Sequence, residues 1–123
     1  MLKVLVVDDQ PNIVRLLEMT LQKEHEVFTA FDGQQALNAV AEHHPDVIVL
    51  DVIMPVLDGY RVLHRVKSNP ETAGTCVIML TQKDRPDDIM LGFNIGAVYY
   101  VPKPFNVHDI AALIRRHFSA EKR

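Results

Sequence analysis

Short runs of β-branched and aliphatic residues alternate along this chain with longer segments whose apolar side chains recur every three or four positions. The short runs are typical of strands, which are therefore predicted at residues 3–7, 26–30, 47–50, 76–80 and 98–101. Three of these runs contain four consecutive apolar residues without alternation, as expected for strands covered on both faces. The pattern therefore predicts a parallel sheet with helices on each side.

The longer segments between and after the strands are predicted to be helical. The last is the clearest, because its apolar side falls at i, i+3, i+4, i+7 and i+8, namely at Ile110, Leu113, Ile114, His117 and Phe118. Pro11 and Pro86 suit first-turn positions, and Asp58 and Asn106 suit N-caps. Five strands alternating with five helices indicate an α/β fold, a doubly wound parallel sheet with right-handed crossovers.

Length and composition narrow the class of protein. The chain has 123 residues, 48% of them apolar and 24% charged, which is ordinary for a single globular domain. Its formal net charge of −3 argues against a nucleic-acid surface as the main function. No apolar run approaches the roughly 18 residues that a membrane span requires, so we expect a cytoplasmic protein without membrane insertion. The sole cysteine, Cys76, lies in a predicted strand and is interpreted as a buried structural thiol.

Polar residues follow the predicted strands at the edge where a parallel sheet collects reactive groups. These residues are Asp8 and Asp9, Asp51, Thr81 and Lys103. If the first and third strands are neighbours, their three carboxylates converge and repel one another unless a cation intervenes. An open site with only oxygen ligands favours Mg²⁺ over a Ca²⁺ cage, and Mn²⁺ is a possible substitute.

The segment 46–59, DVIVLDVIMPVLDG, together with Leu80-Thr81 and Lys103-Pro104-Phe105, resembles the receiver domains of two-component response regulators. The resemblance spans residues 1–123, and the domain is similar to chemotaxis regulators. It implies the flavodoxin-like strand order 2-1-3-4-5. It also implies a phosphorelay domain in signal transduction that takes a phosphoryl group from a histidine kinase or phosphotransfer protein.

The resemblance implies a role for each acidic residue. Asp51 matches the phosphoacceptor, a carboxylate nucleophile that becomes an aspartyl phosphate. Asp9, Asp51 and the backbone carbonyl of Ile53 match the direct Mg²⁺ ligands, and Asp8 matches the acid that holds the ion through water. The chain is thus expected to catalyse only its own phosphorylation and dephosphorylation, without being an enzyme that acts on a metabolite.

Three further residues match family positions that bind the phosphoryl group or change conformation when it is present. Lys103 matches the lysine that pairs with the carboxylate and then with a phosphoryl oxygen, and a cis bond to Pro104 points it into the site. Thr81 matches the hydroxyl that binds another phosphoryl oxygen, and Tyr100 matches the switch aromatic. In the family, these two residues change the surface formed by the fourth helix, fifth strand and fifth helix. Pro102 has no N–H for a sheet ladder, which suits an outer strand.

Two alternatives concern the chain's context and its chemistry. The domain either acts alone on a downstream protein target or is the receiver of a longer DNA-binding or enzymatic regulator. A Mg²⁺-dependent phosphohydrolase of the haloacid-dehalogenase type also uses an aspartate nucleophile after a strand. Such an enzyme needs a second acid two residues later, and the residue at that position is Ile53.

Overall fold

The computed structural model of the chain describes residues 1–81, 96–97 and 99–121. Five strands are present in this part of the chain: β1 (Lys3–Val7), β2 (Glu26–Ala30), β3 (Val47–Asp51), β4 (Cys76–Thr81) and β5 (Tyr99–Pro102). Four helices accompany them: α1 (Pro11–Leu21), α2 (Gly33–His43), α3 (Gly59–Ser68) and the C-terminal helix (Val107–Glu121). The helix predicted to start near Pro86 lies outside the described residues.

All five strands are parallel, in the order β2-β1-β3-β4-β5, which confirms the expected topology. The register aligns the strand ends, because Asp51 lies beside Leu80 and Thr81 lies beside Pro102. Pro102 is the last residue of the outermost strand, where a missing N–H is tolerated. The chain order therefore delivers polar residues from β1, β3, β4 and β5 to one edge of the sheet.

The two faces of the sheet bury two separate apolar clusters. Alternate strand residues such as Val6, Val49 and Ile78 pack against α1 and the C-terminal helix. Their neighbours along the strands pack against α2 and α3 on the other face. A fully buried aliphatic side chain contributes about 1.5–3 kcal/mol, so these clusters supply the main stabilisation. Cys76 is buried in the first cluster, as predicted.

Helix ends follow the predicted signals where the structure describes them. Pro11 is the first residue of α1. The side chain of Asp58 caps α3 by accepting a hydrogen bond from the N–H of Arg61 (3.0 Å), and Asn106 accepts one from His108 (2.9 Å) at the start of the C-terminal helix. Within the described ranges, no helix is long and apolar enough to cross a membrane.

The first residue of α3, Gly59, fixes the segment that follows β3. Its N–H donates to the carbonyl oxygen of Val52 (2.8 Å), and a Cβ at this position would lie only 2.3 Å from the carbonyl oxygen of Asp51. A larger residue would push the backbone of Asp51 away. Glycine is therefore required for α3 to start this close to the end of β3.

Candidate functional site

The carboxyl edge of the sheet brings together three acidic side chains from two neighbouring strands. Asp8 and Asp9 follow β1, and Asp51 is the last residue of β3, which is hydrogen-bonded to β1. Each offers a carboxylate oxygen, and the three oxygens lie within 4.8 Å of one another. Asp8 is fully buried, Asp51 is 5% exposed and Asp9 is exposed. Two of the three charges are thus largely removed from water.

Lys103 supplies positive charge to this cluster from the segment after β5. Its Nζ lies 3.0 Å from Oδ2 of Asp8 and 3.3 Å from Oδ1 of Asp51. The peptide bond between Lys103 and Pro104 is cis. The backbone N–H of Lys103 donates to the carbonyl oxygen of Thr81 (2.8 Å), which joins the ends of β4 and β5 at the site.

Burial and charge shift the protonation of the two central groups. Burial, followed by the nearby charge of Asp8, raises the pKa of Asp51 to about 6, and Lys103 only partly opposes this effect. Burial by itself lowers the pKa of Lys103, but its hydrogen bond to Asp8 and the charges of both acids outweigh burial, so the pKa is raised above its usual value. The cluster therefore has more negative charge than one lysine balances.

A hard divalent cation fits this donor set. The converging groups are all carboxylate oxygens, and no histidine or thiol joins the group of Asp8, Asp9 and Asp51 in the described part of the chain. Ile53 follows Asp51 by two residues and lines a pocket with Asp9 and Asp51, and it is 45% exposed. The excess negative charge at Asp51 is the observation that favours a cation here.

An open pocket of about 220 Å³ adjoins the cluster. Asp9, Asp51 and Lys103 lie on one side, and its remaining lining residues are Gln10, Val52, Ile53, Leu80 and Thr81. Asp8 does not line the pocket. Of the two largely buried carboxylates, Asp51 is therefore the one that borders space where a ligand can enter.

Gln10 also lines this pocket, although no role was predicted for it. Its backbone N–H donates to Oδ1 of Asp8 (3.0 Å), two residues earlier. An aspartate side chain that accepts from the N–H two residues later forms an Asx-turn, which is common in loops. The aspartate two residues before Gln10 was therefore a sequence signal for this contact. This bond holds Oδ1 of Asp8, and the ammonium of Lys103 holds Oδ2, so both oxygens of the carboxylate are fixed.

Tyr100 lies apart from the pocket lining. It is half-buried in β5 and packs against the cluster shared with α2 and α3, whereas the adjacent Tyr99 faces the C-terminal helix, where its OH lies 3.2 Å from Nδ1 of His117. Residues 82–95 and 98, which include the predicted fourth helix, lie outside the described residues.

Comparisons with known proteins agree with this architecture. The family model described as "Response regulator receiver domain" matches residues 4–115. The chemotaxis protein CheY4 of Vibrio cholerae is 36% identical, with 94% of this chain and 98% of that chain covered and a TM-score of 0.88. The chain thus belongs to the response regulator receiver domain family of two-component signalling.

Two further solved structures show receivers in different contexts. The response regulator DrrB from Thermotoga maritima, an OmpR/PhoB homologue, is 36% identical over 98% of this chain and 54% of that chain, with a TM-score of 0.89. The signal receiver domain of a signal transduction histidine kinase from Syntrophus aciditrophicus is 28% identical over 100% of this chain and 94% of that chain, with a TM-score of 0.90.

Proposed function

We propose that Asp51 accepts a phosphoryl group from a phosphohistidine on a histidine kinase or phosphotransfer protein, in a Mg²⁺-dependent reaction. The observation that supports Asp51 is that its carboxylate is largely buried and yet borders the open pocket. It contacts Lys103 and lies near Asp8 inside the protein, and it also borders the open pocket. Asp8 is buried but does not border the pocket, and Asp9 borders the pocket but is exposed.

The proposed transfer exchanges one bond to phosphorus for another. A carboxylate oxygen of Asp51 forms the new P–O bond while the P–N bond to histidine breaks, and its electron pair returns to the imidazole. Lys103 and the hydroxyl of Thr81 would each bind one phosphoryl oxygen. Asp9, Asp51 and the backbone carbonyl of Ile53 would hold Mg²⁺ directly and Asp8 through water. The ion, for which Mn²⁺ is a substitute, supplies the positive charge that the carboxylates and phosphoryl group require.

The proposed output is a change of surface in response to phosphorylation. Thr81 would move toward the phosphoryl group, and Tyr100 would turn inward as the hydroxyl leaves. Since Thr81 and Lys103 are joined by a backbone hydrogen bond, the change would also reach β5. The partner is a downstream protein or an effector domain that follows in a longer chain, as the 54% coverage of DrrB illustrates. We place this activity in the cytoplasm, without direct nucleic-acid contact by this domain.

Incubation with acetyl phosphate and Mg²⁺, followed by intact-mass measurement, tests this function. We expect one phosphoryl group on the native chain and none on Asp51→Asn or in the presence of EDTA. Asp46→Asn is the matched control, because Asp46 lies before β3 at the opposite edge of the sheet and should not affect labelling. Equal labelling of Asp51→Asn and the native chain would refute the assignment.

A further inference from the structure

A second open pocket, of about 230 Å³, lies between α1 and the C-terminal helix. Its wall comes from the end of α1, the turn that leads into β2 and one side of the C-terminal helix. Among the described residues, none lines both this pocket and the one beside Asp51. It is therefore a separate space in which a ligand can lie.

A buried histidine in the wall of this pocket lacks hydrogen-bond partners. The side chain of His25 is 9% exposed, and within the described residues neither Nδ1 nor Nε2 is hydrogen-bonded. Most buried polar side chains in native proteins are paired, because an unpaired one loses the hydrogen bonds that it makes with water in the unfolded chain. An unpaired ring in a pocket wall indicates a partner that comes from outside the chain.

The neighbouring Glu24 shows which chemical group fits beside His25. Its Oε1 and Oε2 accept hydrogen bonds from Nη1 of Arg115 (3.0 and 3.2 Å), while Oε2 lies 3.8 Å from Nε2 of His25. A carboxylate thus binds Arg115 and comes near His25 at the same time, but it stays too far from the ring for a hydrogen bond. An oxyanion that is not tied to the backbone of residue 24 can approach both groups more closely.

The ion pair between Glu24 and Arg115 is easily displaced. The two side chains are 48% and 52% exposed. Exposed ion pairs are weak, because water competes for both charges and two long side chains lose their freedom. An anion that enters the pocket therefore has only a weak internal contact to replace.

The charges of the pocket wall favour an anion with two negative charges. Glu24 is the only acid among the described lining residues, whereas Arg115 and Lys23 are basic and Lys23 forms no ion pair with a described residue. When Glu24 turns to solvent, two full positive charges remain. Thr20 and His108 add groups that can donate further hydrogen bonds.

Size and donor type exclude other ligand classes. The pocket volume of about 230 Å³ is below the roughly 300–1,000 Å³ of sites for drug-sized ligands, so the anion is small. A metal ion does not suit this wall, because the only metal-binding group of acids, histidines or cysteines in the described part of the chain lies at Asp8, Asp9 and Asp51. A guanidinium group instead recognises carboxylate and phosphate oxygens.

We propose that this pocket binds a small oxyanion with two negative charges, a dicarboxylate or phosphate, through Arg115, Lys23 and His25, with Glu24 displaced. The inference goes beyond the proposed phosphoacceptor function and does not depend on it. The anion would bridge the turn before β2 and the C-terminal helix, and it would stabilise the folded chain in proportion to its occupancy.

Titration of the amide NMR spectrum with succinate, and separately with inorganic phosphate, tests the proposal. The ¹⁵N-labelled full chain is held above neutral pH, where both probes are dianions, at constant ionic strength. A chelating resin removes metal from the buffer, since EDTA is itself a polycarboxylate. We expect saturable shifts at residues 20–25 and 108–115, with a Kd on the order of 0.1–1 mM for the better probe. The tighter probe identifies the anion as carboxylate or phosphate, and Asp51→Asn should bind it equally well.

Two pairs of variants separate the pocket from the net charge of the chain. Arg115→Gln should weaken binding roughly 10- to 150-fold, the usual loss of a charge-assisted hydrogen bond, whereas Arg116→Gln, outside the described pocket wall, should stay within about twofold of the native chain. Glu24→Gln should strengthen binding roughly 2- to 5-fold by removing the competing carboxylate. Its control is Glu26→Gln, which makes the same change of charge outside that wall.

A third variant tests the buried ring, and the amide spectrum shows whether each variant is folded. His25→Phe keeps an aromatic ring without nitrogens and should weaken binding roughly 2- to 10-fold. The absence of saturable shifts with both probes overturns the proposal. Equal affinities in Arg115→Gln and Arg116→Gln, or in Glu24→Gln and Glu26→Gln, overturn it as well, since binding would then follow net charge. An unchanged affinity in His25→Phe overturns the assignment of His25 as a ligand-binding residue.

Discussion

At the amino-terminal edge of the sheet, polar groups are matched with partners that hold the chain together. The carboxylate of Asp46 accepts a hydrogen bond from the backbone N–H of Lys3 (2.8 Å), and the ammonium of Lys67 donates to the carbonyls of Ala73 and Thr75. At the carboxyl edge, the carboxylates of Asp8, Asp9 and Asp51 lie close together, and among the described cations only Lys103 contacts them, through Asp8 and Asp51. One edge therefore satisfies its charges, and the other retains a surplus of negative charge.

This difference assigns different tasks to the two edges. The hydrogen bonds of the amino-terminal edge fix loops, and their loss costs stability without touching the pocket. The repulsion at the carboxyl edge is unfavourable in the isolated chain, and the proposed Mg²⁺ would relieve it. Residues of the same type at the two edges should thus respond oppositely to substitution.

The largest expected effect separates the two lysines. Lys103→Met should slow phosphorylation by acetyl phosphate about 10²–10³-fold, the usual cost of removing a charged or polar group that stabilises a transition state. Lys67→Met should leave that rate unchanged and lower the free energy of unfolding by about 1–3 kcal/mol, because two carbonyls lose their donor. Rates of labelling and urea denaturation measure the two quantities. Similar losses of rate in both variants would remove the distinction between the edges.

The next effect contrasts two aspartates in metal-free buffer. Asp51→Asn should raise the free energy of unfolding above pH 7 by on the order of 1–3 kcal/mol, because it removes a buried charge near Asp8 while Lys103 keeps its 3.0 Å contact with Asp8. Asp46→Ala should lower it by about 0.5–1.5 kcal/mol, since the N–H of Lys3 loses its acceptor.

The gain from Asp51→Asn should also depend on pH. The pKa of Asp51 is about 6 in the folded chain, whereas its ordinary value is 3.8. Between these two pH values the native state binds more protons than the unfolded state, so the free energy of unfolding falls as pH rises. The advantage of the asparagine variant should therefore grow between these two values, as urea denaturation in EDTA will show. An advantage that is constant with pH would contradict the assignment of the shift to Asp51.

The smallest expected effect tests an exception at the amino-terminal edge. His25 precedes β2, its side chain is 9% exposed, and neither ring nitrogen has a hydrogen-bond partner within the described part of the chain. Burial lowers its pKa more than the nearby Glu24 raises it. The unfolded chain therefore takes up this proton first, and the native chain loses stability as pH falls below 6.5.

Substitution of His25 by phenylalanine should flatten this dependence. The unfolding free energy of His25→Phe should fall less than that of the native chain between about pH 7 and pH 5, the range in which an ordinary histidine titrates. His64→Asn, at an exposed position on α3, is the control and should follow the native curve. An identical slope for His25→Phe would show that this ring does not govern the decline.

Much of the frame was predictable because strands and helices place apolar residues with different periods. The strands were predicted within one residue of their observed ends, but Asp51 and Thr81 proved to be the last residues of β3 and β4 and not loop residues. The ladder extends this far because each continues its register against the neighbouring strand. Asp51 and Thr81 are therefore held by the sheet itself and not by the loops that follow it.

Side-chain detail was less accessible from the sequence. Asp8 and Asp9 are adjacent and identical in type, yet Asp8 is fully buried, where it binds the N–H of Gln10 and the ammonium of Lys103, and Asp9 is exposed. The left-handed turn at Val56 contradicts the preference of its own residue type. Such features depend on tertiary contacts that local patterns do not encode.

Pro102 affects whether a strand of another molecule can pair with the outer edge of β5. The N–H of Lys103 points back to Thr81, so the nitrogen one residue earlier faces away from β4, on the open side of β5. In proline this nitrogen carries no hydrogen. An incoming strand would find no donor there, and the outer strand is thereby protected against edge-to-edge aggregation.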